Sequence, residues 1–447
     1  MLRAEGWRAA RDRTLDRLAE ARRRRAFTPA EPGFRAESPV LEVGAHPPAA
    51  RFGGVQAQWG ARIAAEEILR PVAVLYPEGQ GLRLELSVGP EGPRRAITYP
   101  SGRPSGALAD PAWEATVRAA LGRTGARALK VEGAAGLPLE SLLRLARDVP
   151  TLLALHDFAL FCRRPHLFEE PLGRFCEYCR DLPRCAACLG GEPDSQRRWR
   201  EAGAALLTAS AAVVYPSQFL ARTHRELFGP EAWGGQDEAR VIPPAQPTPG
   251  PLPGVPPSGP VRHLALVGGV QRHKGAQVFL ELVDRLGPAQ PKLRWSAYGG
   301  GDPALLAALR SRRQVRVRGY YRLGTLPRLL REDRVDLALL PSIVPESFSL
   351  VLSECRAASV PVVAFRLGAV ADRLEHEGGG LTVPLIEDTE GTERTEGASG
   401  LAALLTGILR GEPSLPHLSG GLPIPSPAEV ARRWLDLYRE LGLPAPA

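Results

Sequence analysis

The stretch LLPSIVPESFSLVLSECRAASVPVVAFRLG, residues 339–368, decides the fold. It reads as an apolar strand end, a Pro-containing turn, a helix and a second apolar strand, one repeat of an alternating α/β pattern. The spacing predicts a helix that starts between Pro345 and Phe348, with Glu346 at its mouth and Glu354 two turns inside. The free N–H groups of Ser347, Phe348 and Ser349 would then point outward beside a carboxylate, forming a trap for anions and hydroxyls that suits a diphosphate and a sugar. The plainer account makes Glu346 a helix N-terminal acid favoured by the macrodipole and Glu354 a surface residue.

The same alternation extends in both directions. HLALVGGV (263–270), KLRWSAYGG (292–300), VRVRGYY (315–321), DLALLPS (336–342) and PVVAFRLG (361–368) are strand-like, and GAQVFLELVDRL (275–286) and DPALLAALRS (302–311) are helical. Strands alternating with helices imply a mostly parallel sheet. Upstream, residues 243–260 hold nine prolines in eighteen positions, which no packed element tolerates, so a stiff linker is expected there. Before the linker a second α/β half begins with the apolar run 39–44, the turn His46-Pro47-Pro48, and Gly53-Gly54 opening the helix-like VQAQWGARIAAEEIL (55–69). Further apolar runs at 72–75, 128–131, 151–155 and 211–215 alternate with the helical patterns 137–149 and 217–228. The acidic, Gly-rich IEDTEGTERTEGASG (386–400) reads as a loop, and PSPAEVARRWLDLYREL (425–441) as a capped amphipathic helix.

Composition limits the function classes. The 447 residues, 44% hydrophobic, can build two or three cores, which excludes wholesale disorder. The formal charge of +8 is concentrated: residues 1–25 hold nine Arg against four acids, a local +5, leaving +3 for the rest. That is a poor match to a continuous basic face, so nucleic acid is not expected as a partner. The basic segment either lies on an anionic membrane surface or is a solvated arm docked on its own domain. No apolar stretch approaches the roughly 18 residues that span a bilayer. The amino terminus lacks a signal-peptide h-region, so a cytoplasmic protein is expected, with peripheral contact at the inner membrane face as an option. Only Lys130, Lys274 and Lys292 among the 57 cationic residues are lysines, which draws attention to Lys274.

Five cysteines, Cys162, Cys176, Cys179, Cys185 and Cys188, fall within 27 residues, and the last four read C-x2-C-x5-C-x2-C. Two such knuckles can present four thiolates tetrahedrally, so a structural zinc on Cys176, Cys179, Cys185 and Cys188 is expected. Free thiols, iron–sulfur ligation and disulfides are the alternatives.

Taken together, LVGGVQRHKGAQVFLELVDRL, YGGG, VRGYYRLGTLPRLL and PSIVPESFSLVLSE followed by PVVAF resemble the donor domain of the retaining family 4 glycosyltransferases (glycosyl transferases group 1), which adopt the GT-B fold. The amino-terminal half is similar more loosely, through FGGVQAQ, VPTLLALHDFALFCRRP and VVYPSQFLARTHRELFG. The resemblance implies an α/β, GT-B architecture of two Rossmann-like doubly wound domains facing a central cleft, with the carboxy-terminal helix packing back on the amino-terminal domain. The expected organisation is a basic helical arm over 1–36 and an acceptor-side domain over 37–242 with a Cys-rich insert at 160–192. The linker (243–260), a donor-nucleotide domain over 261–425 and a crossing helix over 426–447 complete it.

By position, Glu354 resembles the carboxylate that accepts from the nucleotide ribose hydroxyls, and Glu346 the one that holds sugar hydroxyls. Lys274 would neutralise the leaving diphosphate. The family usually places an Arg where Gly269 stands, so either Arg272 takes over or one cation fewer is used; Ser349 stands where Gly is usual. The backbone around Gly319 and Tyr320 would read the base. His156 aligns with the histidine that faces the reacting centre, and a lone histidine of this kind is otherwise a core residue. Gly53 and Gly54 either let the backbone approach diphosphate or acceptor or form a tight turn. Some members carry a similar Cys-rich insert after the HD motif with a Cys at the position of Cys162, which makes Cys162 an alternative ligand. Cys355 is expected to be a buried apolar thiol.

The implied reaction is transfer of a sugar from a nucleoside-diphosphate sugar to a hydroxyl of a glycan, lipid-linked or small-molecule acceptor with retention, and without a catalytic metal. A nucleotide-sugar epimerase or hydrolase on the same fold, and a catalytically silent sugar-nucleotide-binding subunit, are the competing readings.

Overall fold

Short apolar runs separated by amphipathic helices can bury both faces of a parallel sheet, and the chain does this twice. The computed structural model describes residues 28–29, 38–48, 54–89, 92–246, 259–385, 398–415 and 424–443. The expectations for residues 1–27, Gly53, most of the Pro-rich linker and 386–397 lie outside them. The described residues divide into two compact units, one formed by 168–176, 259–385, 398–415 and 424, the other by 28–29, 38–48, 54–89, 92–167, 177–246 and 425–443.

The later unit holds a six-stranded, wholly parallel sheet. Its order is β14 (Val315–Gly319), β13 (Arg294–Tyr298), β12 (His263–Val267), β15 (Leu337–Leu340), β16 (Val362–Phe365), β17 (Gly380–Val383). Numbered from β12, that is 3-2-1-4-5-6, the order of dinucleotide-binding sheets, and its direction of winding reverses between β12 and β15. The period-two pleat sorts the core. Leu264, Leu266, Trp295, Leu337 and Leu339 pack with Phe279, Leu282 and Val283 on one face. Ala265, Val267, Ala338 and Leu340 pack with Leu352, Cys355 and Val370 on the other.

The earlier unit has a nine-stranded mixed sheet. Its order is β1 (Thr28–Pro29), β5 (Arg94–Gly102), β4 (Gly81–Ser87), β3 (Val72–Glu78), β2 (Val40–Val43), β6 (Ala128–Glu132), β7 (Thr151–Ala154), β10 (Ala212–Tyr215), β11 (Arg240–Val241). The run from β3 to β11 is parallel, while β3, β4 and β5 form an antiparallel extension. The helix Pro427–Glu440 belongs to this unit. Its capping box joins Ser426 and Glu429, and Val430, Trp434, Leu437 and Tyr438 bury against Val40, Ala128, Leu152 and Val214. The predicted return of the carboxy-terminal helix to the amino-terminal sheet is thus the observed one. A two-stranded hairpin, β8 (Phe168–Glu169) and β9 (Arg174–Phe175), groups with the later unit although its flanks belong to the earlier one. Among the described residues no helix is long and apolar enough to cross a membrane.

Candidate active site

At a switch point, loops leaving the carboxyl ends of neighbouring strands diverge and leave a crevice. The loops after β12 and β15 occupy that position in the later unit. After β12 the chain turns through Gly268 and Gly269 into residues 271–275, closed by Lys274 N–H to Gln271 O (3.2 Å) and Gly275 N–H to Arg272 O (2.9 Å). Gly275 has φ +76°, and a Cβ there would collide with the Pro341 carbonyl, so only glycine lets this turn lie against the loop after β15. Ile343 N–H donates to His273 O at 3.0 Å and locks the two loops together. In this setting Lys274 Nζ lies 3.0 Å from Glu346 Oε1, with the lysine about one-third exposed and the glutamate mostly buried. The Glu346 carbonyl is fixed in turn by Ala369 N–H at 2.8 Å.

The helix predicted to begin between Pro345 and Phe348 begins instead at Leu350 and runs to Ala357. Ser349 is the reason: it precedes the helix with φ +69°, a left-handed conformation no helical residue adopts. The N–H groups of Ser347, Phe348 and Ser349 are therefore not a helix N-terminus, and Glu346 stands in the loop before it. That loop is held from behind by Arg373, a residue the sequence reading missed. Its Nη1 donates to Phe348 O and Ser349 O, both at 3.1 Å, its Nη2 to Ser353 Oγ at 3.0 Å, and its guanidinium lies 4.2 Å from the centroid of the Phe348 ring. Burial lowers the Arg373 pKa to about 10 even with Glu377 as an ion-pair partner.

Glu354 is not the surface residue of the plainer account. It is fully buried, its Oε1 accepts from Gly324 N–H at 2.7 Å, and its Oε2 is buried without a hydrogen-bond partner among the described residues. Burial raises its pKa to about 8, opposed by the Gly324 and Leu326 N–H groups. A buried carboxyl with one oxygen unused is suited to a ligand hydroxyl. Tyr321, whose phenol is pushed well above its ordinary value by burial and by Glu354, packs beside it. Gly319, at φ +75°, ends β14, and its carbonyl accepts from Gly299 N–H; Tyr320 follows, with its Cβ near Gly300. Cys355 is fully buried, as expected.

Arg272 is directed elsewhere. It lies 3.5 Å from Glu170 and over the Phe168 ring of the β8–β9 hairpin, which is part of the same unit. At Gly269 a Cβ would meet only Gln271 Cγ at 3.6 Å, so the site of the missing arginine has room for a side chain.

In the earlier unit His156 follows β7, and its Nε2 lies 3.0 Å from Glu132 Oε1 at the end of β6. It is therefore a paired histidine rather than an apolar core one. Glu132 belongs to a buried cluster that the sequence reading missed, made of Glu42, Glu66 and Glu132 with Arg62, Arg70 and Lys130. Three acids balance three cations, as a buried charge cluster requires. Burial works to raise the Glu132 pKa, yet Lys130, Arg62 and His156 hold it well below the carboxylate range. Gly54 opens the adjacent helix Gly54–Glu66.

The zinc expectation finds no support. Among the described residues no group of three or more His, Cys, Asp or Glu side chains is placed to hold a metal ion, and none of Cys162, Cys176, Cys179, Cys185 and Cys188 is in a disulfide. At Cys185 the neighbour is instead a cation: Arg200 Nη2 lies 3.3 Å from Cys185 Sγ and donates to Cys179 O at 2.8 Å.

With this geometry in view, the comparisons are specific about one unit. Residues 261–394 match the family of glycosyl transferases group 1. The matched span, less than half of the chain, contains Lys274, Glu346 and Glu354. The fold is similar to that of sucrose-phosphate synthase from Thermosynechococcus elongatus, with 15% identity and a TM-score of 0.57 over 91% of this chain and 99% of that one. It is also similar to the catalytic domain of starch synthase IV from Arabidopsis thaliana bound to ADP and acarbose, with 11% identity and a TM-score of 0.53 over 91% and 99%. These likenesses establish the GT-B fold of two Rossmann-like units. No curated protein matches the chain.

Proposed function

We propose that the chain is a glycosyltransferase that moves a sugar from a nucleoside-diphosphate sugar to an acceptor hydroxyl with retention of configuration, in glycan or glycoconjugate synthesis. The observation that carries this reading is the arrangement at the β12/β15 switch point: an ammonium paired with Glu346 on one loop pair, and a buried carboxyl with an unused oxygen, Glu354, on the helix that follows. The group 1 match over the same residues supports it, and ADP in the starch synthase structure supports a nucleoside diphosphate as the carrier.

In the proposed reaction the bond from the anomeric carbon to the diphosphate oxygen breaks and a bond to the acceptor oxygen forms on the same face. The acceptor proton passes to the departing phosphate. Positive charge develops on the sugar and negative charge on the leaving group. Lys274 stabilises the second, Glu346 fixes sugar hydroxyls, Glu354 takes a ribose hydroxyl, and Gly319 and Tyr320 border the base. His156 offers a ring nitrogen to a substrate hydroxyl.

A screen of sugar nucleotides for nucleoside diphosphate release, with Glu346→Ala and Lys274→Ala as controls, tests this. Acceptor-dependent release that falls at least about tenfold in both variants, one ion pair's worth of transition-state stabilisation, is expected. Unchanged turnover in both would remove the site assignment, and release that needs no acceptor would point to a hydrolase.

A further inference from the structure

Glu132 stands out among the buried charges because it links the cluster to a residue that is partly exposed, His156. Its Oε2 lies 3.1 Å from Arg62 Nη2 and 3.2 Å from Lys130 Nζ, and its Oε1 accepts from Gln58 Nε2 at 2.6 Å. The remaining position on Oε1 is taken by His156 Nε2 at 3.0 Å. With two cations against one oxygen and an amide against the other, the carboxylate can neither rotate nor become a donor. His156, Glu132, Gln58, Tyr215, Pro216 and Trp434 border one small recess of about 10 Å³, room for about one water, entirely within the earlier unit.

We propose that Glu132 is a positioning residue that fixes neutral His156 as the Nε2–H tautomer, leaving the Nδ1 lone pair to accept a hydroxyl of the sugar or acceptor. The chemistry follows from the donor and acceptor inventory: an ionised carboxylate only accepts, so the imidazole nitrogen facing it carries the proton and the other does not. His156 Nδ1 has no hydrogen-bond partner among the described residues. The cluster explains why a carboxylate can be held ionised at this depth. Lys130 sits 3.5 Å from the centroid of the Trp434 ring, so the carboxy-terminal helix closes the cluster from outside. The tautomer stands on this geometry alone, and only its kinetic consequence rests on the proposed transferase reading.

The test uses the full-length protein labelled with 15N-histidine, the His156 signals being assigned by their loss in His156→Asn. In the wild type at a pH where His156 is neutral, Nε2 is expected to be protonated and Nδ1 bare. In Glu132→Gln the populations should shift toward the other tautomer, with kcat for transfer falling about tenfold or more and donor KM changing less than about twofold, as for other histidines deprived of an orienting carboxylate. Should that variant fail to fold, Lys130→Met combined with Glu132→Gln keeps the cluster's charges balanced and gives the same readouts. An Nδ1–H tautomer in the wild type overturns the proposal, as do unchanged tautomer populations in the variant. A correct tautomer in a protein that transfers no sugar would instead remove the transferase reading and leave this one standing.

Discussion

Replacing Glu354 by Gln isolates a pH effect of the later unit that falls between pH 4.5 and 9. The wild-type carboxyl titrates at about 8 in the folded chain against 4.5 as its ordinary value. A carboxyl whose pKa is raised on folding favours the native state while protonated. Its contribution is therefore complete below pH 4.5 and is lost as pH rises through 8. Three and a half units at 1.36 kcal/mol each set an upper limit of about 5 kcal/mol, of which about 1.4 kcal/mol remains at pH 7. The fully buried side chain, with only the Gly324 and Leu326 N–H groups acting against burial and no hydrogen-bond partner on Oε2 among the described residues, is the structural cause. Glutamine fills the same volume and does not ionise. Urea unfolding of both proteins at intervals from pH 4.5 to 9 reads the difference in stability. Relative to the variant, the wild type should lose about 3 kcal/mol between pH 4.5 and 7 and little more above pH 8.5. A difference that stays flat across this range would refute the claim that Glu354 is a desolvated, half-satisfied carboxyl.

Two smaller perturbations address the loops. Ser349→Gly relieves a left-handed serine, a conformation that costs a residue with a Cβ about 1–2 kcal/mol, so a rise of roughly 2–4 °C in melting temperature by calorimetry is expected; a fall would mean that Ser349 contributes more than its backbone. At Gly269 a Cβ meets only an ordinary contact, and Gly269→Arg adds a cation beside the Lys274 turn, so calorimetric affinity for a nucleoside diphosphate should rise about tenfold, and an unchanged or weaker affinity would show that the added charge does not reach the phosphates.

Much of the later unit was legible in the sequence because its strands are short, apolar and regularly interrupted. The runs read from 263–270, 315–321, 336–342 and 361–368 contain β12, β14, β15 and β16. Lys274 and Glu346 could be named because they sit in strand-end loops, where function concentrates, but their 3.0 Å pairing needed the fold. The helix start was misplaced because a serine at φ +69° gives no sign of itself in a sequence that otherwise reads as continuously helical from Ser347. Arg373 was invisible for a different reason: its partners, Phe348 and Ser349, are carbonyls more than twenty residues away, and carbonyls have no letter. The buried cluster escaped because Lys130 and Glu42 interrupt apolar strands by one residue each, and Arg62 reaches Glu132 across seventy positions. The cysteine spacing was suggestive, but spacing alone does not show that Arg200 occupies the position next to Cys185.

Equilibrium titration of UDP, ADP and GDP, and of the corresponding nucleosides, against the wild type and Lys274→Ala asks most directly whether this loop pair grips a sugar carrier by its diphosphate. At least one diphosphate should bind, its affinity should drop about tenfold or more in Lys274→Ala, and the nucleosides should not distinguish the two proteins. Equal diphosphate affinity for both proteins would contradict the account.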